Sequence, residues 1–542
     1  MQTLEKHRNL LFLAASVAVL AGCGSEEIAS PGSGGNVTVN ITTPPPPPPP
    51  PPPASTLVTP AGGCPTVNDP AGLRDLGTIQ GPTGTYRNCE LPARITRSMT
   101  LPRAAGVLYS LGGRVDVGTD GGATARSCEG STSSTVVDCR VTLSIEPGVV
   151  IFGSTGTSWL HVNRGNRISA IGTATAPVVF TSRDNVLGLS TDDSQGQWGG
   201  VVLSGRAPIT DCTIATNATP GSVNCERQVE GSTDPAIYGG ATANDNSGTL
   251  RYVQIRYSGY VLSGNSELQA LTTGGVGSGT SISFVHLHNS SDDGLEFFGG
   301  THNATRFVLT GADDDSIDVD VGYRGLIQYV IAVQKTSGGA DSMIELDTPG
   351  SNATNSETQQ PRTFLKLANF TLIHVNSASG NGAAMRFRGA ADASLVNGVV
   401  RSPIACLRLD NTATGPSILT ADAAIGKVGA PAFRSVAMQC GTTAIRAGDN
   451  ITAAQADAVF NVAGNNNIST FTTSLTGGFI NGANETARTA TDPKTVDAGF
   501  DTTNYIGAVS GASDTWYAGW TCNSATATFG STGTACTSVP RP

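Results

Sequence analysis

The sequence predicts an all-β fold, a single-chain parallel β-helix solenoid closed by disulfide-bonded terminal caps, and three observations predict it. The first is a repeat. Six stretches read small residue, apolar residue, charge, apolar residue: Gly294-Leu295-Glu296-Phe297, Ser316-Ile317-Asp318-Val319, Met343-Ile344-Glu345-Leu346, Ala384-Met385-Arg386-Phe387, Cys406-Leu407-Arg408-Leu409 and Ala444-Ile445-Arg446-Ala447. Glu296 to Asp318 is a step of 22, and so is Arg386 to Arg408; a fixed period of that size marks a solenoid. Alternation with period two puts the apolar residues on one face of a strand and the charge on the other. The second observation is composition: 67 glycines, 14% charged and 6% aromatic residues describe a turn-rich β protein. The third is punctuation. Short β-branched runs are separated by Gly, Pro, Asn and Asp, and no amphipathic run of helical length intervenes.

The chain opens with Lys6, His7 and Arg8, an apolar run from Leu10 to Leu20, and then Leu20-Ala21-Gly22-Cys23. The run is too short to span a bilayer and has the layout of an export signal over residues 1–22. Small residues followed directly by Cys resemble the lipobox of bacterial lipoproteins. That resemblance implies that Cys23 becomes the diacylated, palmitate-bearing first residue of the mature chain. Under the sorting rules of such proteins, Gly24 in place of Asp favours the outer membrane. Residues 23–63 are a tether rich in Gly, Ser, Thr and Pro, with an unbroken proline run from Pro44 to Pro53. Ten prolines in polyproline II span about 31 Å and resist collapse, so they hold a folded body away from a membrane.

Beyond Cys23, ten cysteines fall as sequence neighbours: Cys64 with Cys89, Cys128 with Cys139, Cys212 with Cys225, Cys406 with Cys440, and Cys522 with Cys536. An even count in an exported chain points to disulfides, and pairing between neighbours is the simplest arrangement. The absence of C-x-x-C argues against zinc ribbons and thioredoxin chemistry. A formal charge of -10 argues against nucleic acid as a partner.

Residues 64–140 keep cysteines but lack the rung pattern and read as an N-terminal cap; 141–470 read as the β-helix, and 471–542 as a C-terminal cap. From Val141 the pattern becomes regular, through Ile145-Glu146-Pro147-Gly148, Ala176-Pro177-Val178-Val179-Phe180-Thr181-Ser182 and Gln197-Trp198-Gly199-Gly200-Val201. These motifs, with Asp292-Asp293-Gly294-Leu295-Glu296-Phe297-Phe298-Gly299-Gly300 and Asn504-Tyr505-Ile506-Gly507-Ala508-Val509, resemble the right-handed parallel β-helix proteins of Gram-negative envelopes, of the pectate-lyase-like superfamily. The resemblance covers most of 141–522. It implies the fold and leaves the chemistry open, because this fold carries lyases, hydrolases, adhesins and scaffolds. Second strands such as Phe284-Val285-His286-Leu287 and Leu326-Ile327-Gln328-Tyr329-Val330 precede the six motifs, so each coil has at least two strands.

Aligning the motifs stacks Glu296, Asp318 and Glu345, then Arg386, Arg408 and Arg446, on the outer face of one sheet. A second outward column holds Asp320, Asp347, Arg388 and Asp410. Rungs lie about 4.8 Å apart, so stacked acids must raise a pKa, bind a cation or point apart into water. The preceding corner is acidic too, with Asp292, Asp293, Asp313, Asp314, Asp315 and Asp341. Three readings stay open. Carboxylates from neighbouring corners, Asp293 and Asp315 first, offer hard oxygens to calcium. Asp292, Asp293, Glu296, Asp314, Asp315 and Asp318 could supply the paired carboxylates of a glycosidase, although the companion motifs of polygalacturonase-like β-helices are absent and no catalytic residue stands out. Alternatively, Asp shapes the corners through local backbone bonds and the ladder is a solvated charged face. Glu345, Asp347, Arg386, Arg388 and Arg408 form the expected ligand face. His286 and His288 read as surface histidines and Trp198 as core. The expected function is an outer-membrane-anchored lipoprotein that binds a polysaccharide or envelope protein; the alternative is a polysaccharide lyase or glycoside hydrolase.

Overall fold

A computed structural model describes residues 57–130, 139–215, 217–232, 234–263, 266–348, 357–531 and 533–542. Export signal, Cys23 and most of the tether lie outside them. Two long sheets wind along one axis, a 15-stranded sheet and an 11-stranded one, with successive coils pairing in parallel. We call them the bent sheet and the straight sheet. Within the straight sheet the repeat is in register as its alternation requires: Glu296 faces Asp318, Asp318 faces Glu345, Glu345 faces Arg386, Arg386 faces Arg408, and Arg408 faces Arg446. Leu295, Phe297, Ile317, Val319, Ile344 and Leu346 point the other way and are fully buried in the core.

The bent sheet gives each coil two faces, so a coil has three. In an early coil these faces are separate strands, Arg167–Ile171 and Val178–Ser182; in the next, one strand, Gly248–Arg256, pairs with both. Its bend falls at Tyr252, and the register stacks Tyr252, Phe284, Arg306, Tyr329, Asn369, Asn397 and Ser435 at the same corner. All have φ between 52° and 64°. One left-handed residue turns the strand at a cost of about 1–2 kcal/mol each, and the ladder bonds on both sides hold it there. Asn369 and Asn397 soften the cost by donating from Nδ2 to the carbonyls of Tyr505 (3.0 Å) and Thr491 (2.8 Å).

Two excursions pack on outer faces of the coil. Residues 205–247 fold over the straight sheet, where Ile209, Val229 and Tyr238 pack on Trp159, Val202, Phe298 and Val321. Residues 461–542 run back along the third face: Ile468 bridges to Ala437, Asn369 donates to Tyr505, and Asn185 donates to Cys536 at 3.0 Å. Residues 471–542 of it are expected from the sequence as an end cap and belong instead to this strap. The reason is chemical. Outward positions Val308, Ile331, Val333 and Ile373 are apolar and pack under Phe479, Val509, Tyr517 and Trp520, so this sheet is apolar on both sides. The end of the solenoid is covered by the helix Ala453–Phe460, whose Phe460 ring lies 5.3 Å from Phe433.

The N-terminal region also differs from a simple cap. Val107–Leu111 and Arg114–Val117 pair in parallel with Val150–Gly153 and Trp159–Val162, so the coil begins before residue 141. Ahead of them the antiparallel hairpin Arg74–Gly81 and Gly84–Glu90 covers the edge. The expected cysteine neighbours are bridged: Cys64–Cys89, Cys128–Cys139, Cys212–Cys225, Cys406–Cys440 and Cys522–Cys536.

Candidate functional site

The straight sheet presents its charges outward, and the strand period alone puts them there. Their surroundings change along the axis. At the end nearer the excursion 205–247, the expectation of a solvated face fails: Glu296 is only 6% exposed, and it makes no hydrogen bond or ion pair with a described residue. Asp318 and Asp320 each bury a carboxylate oxygen that has no partner. Arg227 of the excursion bonds Asp211 and lies over the Phe298 ring, 5.3 Å from its centroid. It draws near these acids without pairing with them. Burial, then repulsion from Asp318 and Asp320, pushes Glu296 well above the usual carboxylate range; burial pushes Asp320 up to about 8 against the pull of Arg227.

The corner carboxylates divide into two kinds. Asp293 accepts from the Asp315 amide (2.9 Å), and Asp315 accepts from the Ser342 amide, so one oxygen of each ties its coil to the next. This is the corner-forming role. Asp292 takes one bond from Gln269 (3.2 Å), and burial with the charges of Asp314, Glu267 and Glu230 pushes it up to about 7. Two sets bring their oxygens within 4.8 Å of one another, Asp292 with Asp293 and Asp314, and Asp293 with Glu296 and Asp318. Asp293 therefore stands where a metal ligand was expected. Asp315, the other expected ligand, enters neither set. The unpartnered Glu296 and Asp318 offer the second set hard carboxylate oxygens, the ligand type calcium takes, and an ion there would draw off the protons that burial favours.

Further along, among the described residues, the sheet opens. Asp347, Glu357, Arg386, Arg388, Asp410 and Asn411 are among the lining of a cleft of about 520 Å³. Here the charges are compensated: Arg388 bridges Glu345 and Asp347 (3.3 Å), and Arg386 and Arg408 share Asp410 at 2.9 Å. Arg386 also donates to Asn381 at 2.6 Å. Of the expected ligand-face residues, Asp347, Arg386 and Arg388 line this cleft, whereas Glu345 and Arg408 are outside the lining and hold Arg388 and Asp410 from beside it.

A family model for a pectate-lyase like beta helix domain matches residues 128–521. The chain belongs to the pectate-lyase-like β-helix family. No curated protein and no solved structure matches it. A pectate-lyase-like β-helix can serve binding or carbohydrate chemistry, so the site has to be read from its own residues.

Two polar constellations of this pectate-lyase-like chain escaped the sequence reading. On the straight sheet, His161 Nδ1 lies 2.9 Å from Asp116 and Nε2 lies 2.9 Å from the Ser204 hydroxyl. The order resembles a hydrolase triad, but Ser204 is fully buried while Asp116 lines the neighbouring cleft. The nucleophile position is at the dry end, which makes this line structural. His286 and His288, read as surface histidines, are fully buried beneath the strap. Cys522 N donates to His286 Nδ1 (3.3 Å), and Thr310 Oγ1 sits 3.1 Å from His286 Nε2 and 2.8 Å from His288 Nδ1. A backbone amide can only donate, so His286 carries its proton on Nε2. Burial holds His286 at about 3. The missed signal was the apolar run on both sides of these strands, which announces a covered sheet. Trp198 is core, as read.

Proposed function

We propose that the protein is a lipid-anchored binding protein of the bacterial outer membrane, tethered through Cys23, that engages an extracellular polysaccharide along the outward face of its straight sheet. One observation carries the reading: among the described residues, the straight sheet opens beyond the excursion at Asp347, Arg386, Arg388 and Asp410 into a polar cleft. Paired arginines and carboxylates held by one another present fixed donors and acceptors, the groups that fix the orientation of a polar ligand. The acidic set Asp293, Glu296 and Asp318 lies on the same face and supports a calcium ion bound beside the ligand. Titrating the full chain against a panel of purified polysaccharides tests the reading. Binding is expected to weaken about tenfold in Arg388→Gln, the loss of one charge-assisted contact; a panel without any ligand, or a variant that binds as well as the parent, overturns it.

A catalytic reading is supported by Asp292, held near pH 7 beside other carboxylates, which is where a general acid is poised. New reducing ends or unsaturated products from the same panel, lost in Asp292→Asn, would establish it in place of simple binding.

A further inference from the structure

A second polar cavity lies on the middle face of the pectate-lyase-like coil, away from the straight sheet. Register stacks Thr249, Ser281 and Asn303 in one outward column, and Arg251, Ser283, Thr305 and Gln328 in the next. Where the strap passes, Gly499 and Asp501 wall this floor into a cavity of about 390 Å³ lined by Ser281, Ser283, Asn303, Thr305 and Arg306 among others.

Two guanidinium groups flank one ring at its edge. Arg306 Cζ lies 5.1 Å from the Phe284 centroid and 4.6 Å from that of Tyr329, and Arg251 Cζ lies 5.8 Å from Phe284 and 5.2 Å from Tyr252. Neither is neutralised closely. The nearest carboxylate to Arg306 is Asp501 at 3.9 Å, whose Oδ2 also accepts from the Tyr329 hydroxyl (3.2 Å). The Arg306 hydrogen bond to Thr305 Oγ1 is 3.3 Å long. Arg251 is exposed and makes no ion pair or side-chain hydrogen bond with a described residue. Stacking on aromatic rings orients a guanidinium before a ligand arrives, so little of its freedom is left to lose on binding.

We infer that this cavity binds an anionic sugar unit of an acidic polysaccharide: Arg251 and Arg306 take its carboxylate or sulfate, and the hydroxyls of Ser281, Ser283 and Thr305 with the amide of Asn303 take the ring hydroxyls. Arg306 and Asp501 are the charged groups of the cavity lining, and Arg251 stands beside it in the Ser283 column, so two arginines outnumber one carboxylate in a chain of formal charge -10. Its polar columns repeat at the coil spacing of about 4.8 Å, so an extended ligand meets equivalent groups on successive coils. Asp501 sets one edge and leaves the Arg251 side open.

Calorimetric titration of the full chain with alginate oligosaccharides, dextran sulfate oligosaccharides, neutral dextran oligosaccharides and sodium sulfate tests the assignment. Binding of either acidic oligosaccharide, with neutral dextran silent and affinity falling as salt rises, is expected. The pair Arg251→Gln and Arg306→Gln should weaken it about tenfold or more. Ser283→Tyr, which fills the floor and leaves both arginines, should do the same and guards against a folding defect in the double variant. Arg388→Gln, in the straight-sheet cleft, should leave this binding unchanged, so the two sites fail separately. Equal binding of neutral dextran, binding of sulfate alone with equal affinity, or indifference to both cavity variants overturns the assignment.

Discussion

At the scale of single residues, the acids of the straight sheet pose the sharpest electrostatic question. Burial and mutual repulsion raise Glu296, Asp320 and Asp292 above their unfolded values, so the folded chain binds their protons more tightly than the unfolded one. Their contribution to stability is therefore fully present below the ordinary carboxylate range and is lost as pH climbs through about 7 for Asp292 and about 8 for Asp320. In chelator the protein should melt at a higher temperature near roughly pH 5 than near roughly pH 8.5. Calcium should close that gap by supplying the missing positive charge to Asp293, Glu296 and Asp318. Scanning calorimetry at both pH values reads the effect, and Glu296→Gln with Asp318→Asn should abolish the calcium response while narrowing the pH difference. The acids themselves were legible from the 22-residue step, because alternation fixes which side of a strand they occupy. Their burial was not, since the cover comes from residues 205–247, and no local pattern reveals which sheet a distant excursion lies on.

Elements carry the next lesson. Strands and their register followed from period two, and neighbouring cysteines from count and spacing. The bend did not, because the left-handed column holds Tyr, Phe, Arg, Asn and Ser, with no glycine to announce it. What those positions share is a place in the ladder. Asn397→Val should cost about 2–3 kcal/mol, from a β-branched side chain at φ 56° and the loss of the bond to Thr491. Asn397→Gly, which keeps the backbone angle available, should recover the conformational share. Urea unfolding of both variants separates the two contributions. Gly398 is next to it and has a different role: a Cβ there would meet the Phe370 ring at 2.1 Å, so Gly398→Ala should destabilise by about 1–3 kcal/mol through overpacking.

At the largest scale, the described residues of the body form an open spiral wrapped by its own extensions. Coil repeat, resemblance and composition together made the architecture readable; the strap was misassigned as an end cap because its cysteines and aromatic residues fit either place. Removing residues 461–542 should leave Val308, Ile331, Val333 and Ile373 uncovered, an apolar strip along parallel strands, and the shortened chain should aggregate. Size-exclusion chromatography of the two lengths decides it, and a soluble, monomeric short form would show that the strap is dispensable. The proposed membrane anchor belongs to this scale as well: if Cys23 carries it, Cys23→Ala should release the protein from palmitate labelling and from the membrane fraction.

The strap also sets a clock. Ribosomes deliver a chain from its first residue onward, so coils near Val178–Ser182 emerge long before Cys536, whose carbonyl receives bonds from Asn185 and Arg256. Until about 350 further residues have been made, the outer surface of these coils stays bare. A product of premature termination never covers that surface, so it displays a sticky apolar flank for its whole lifetime.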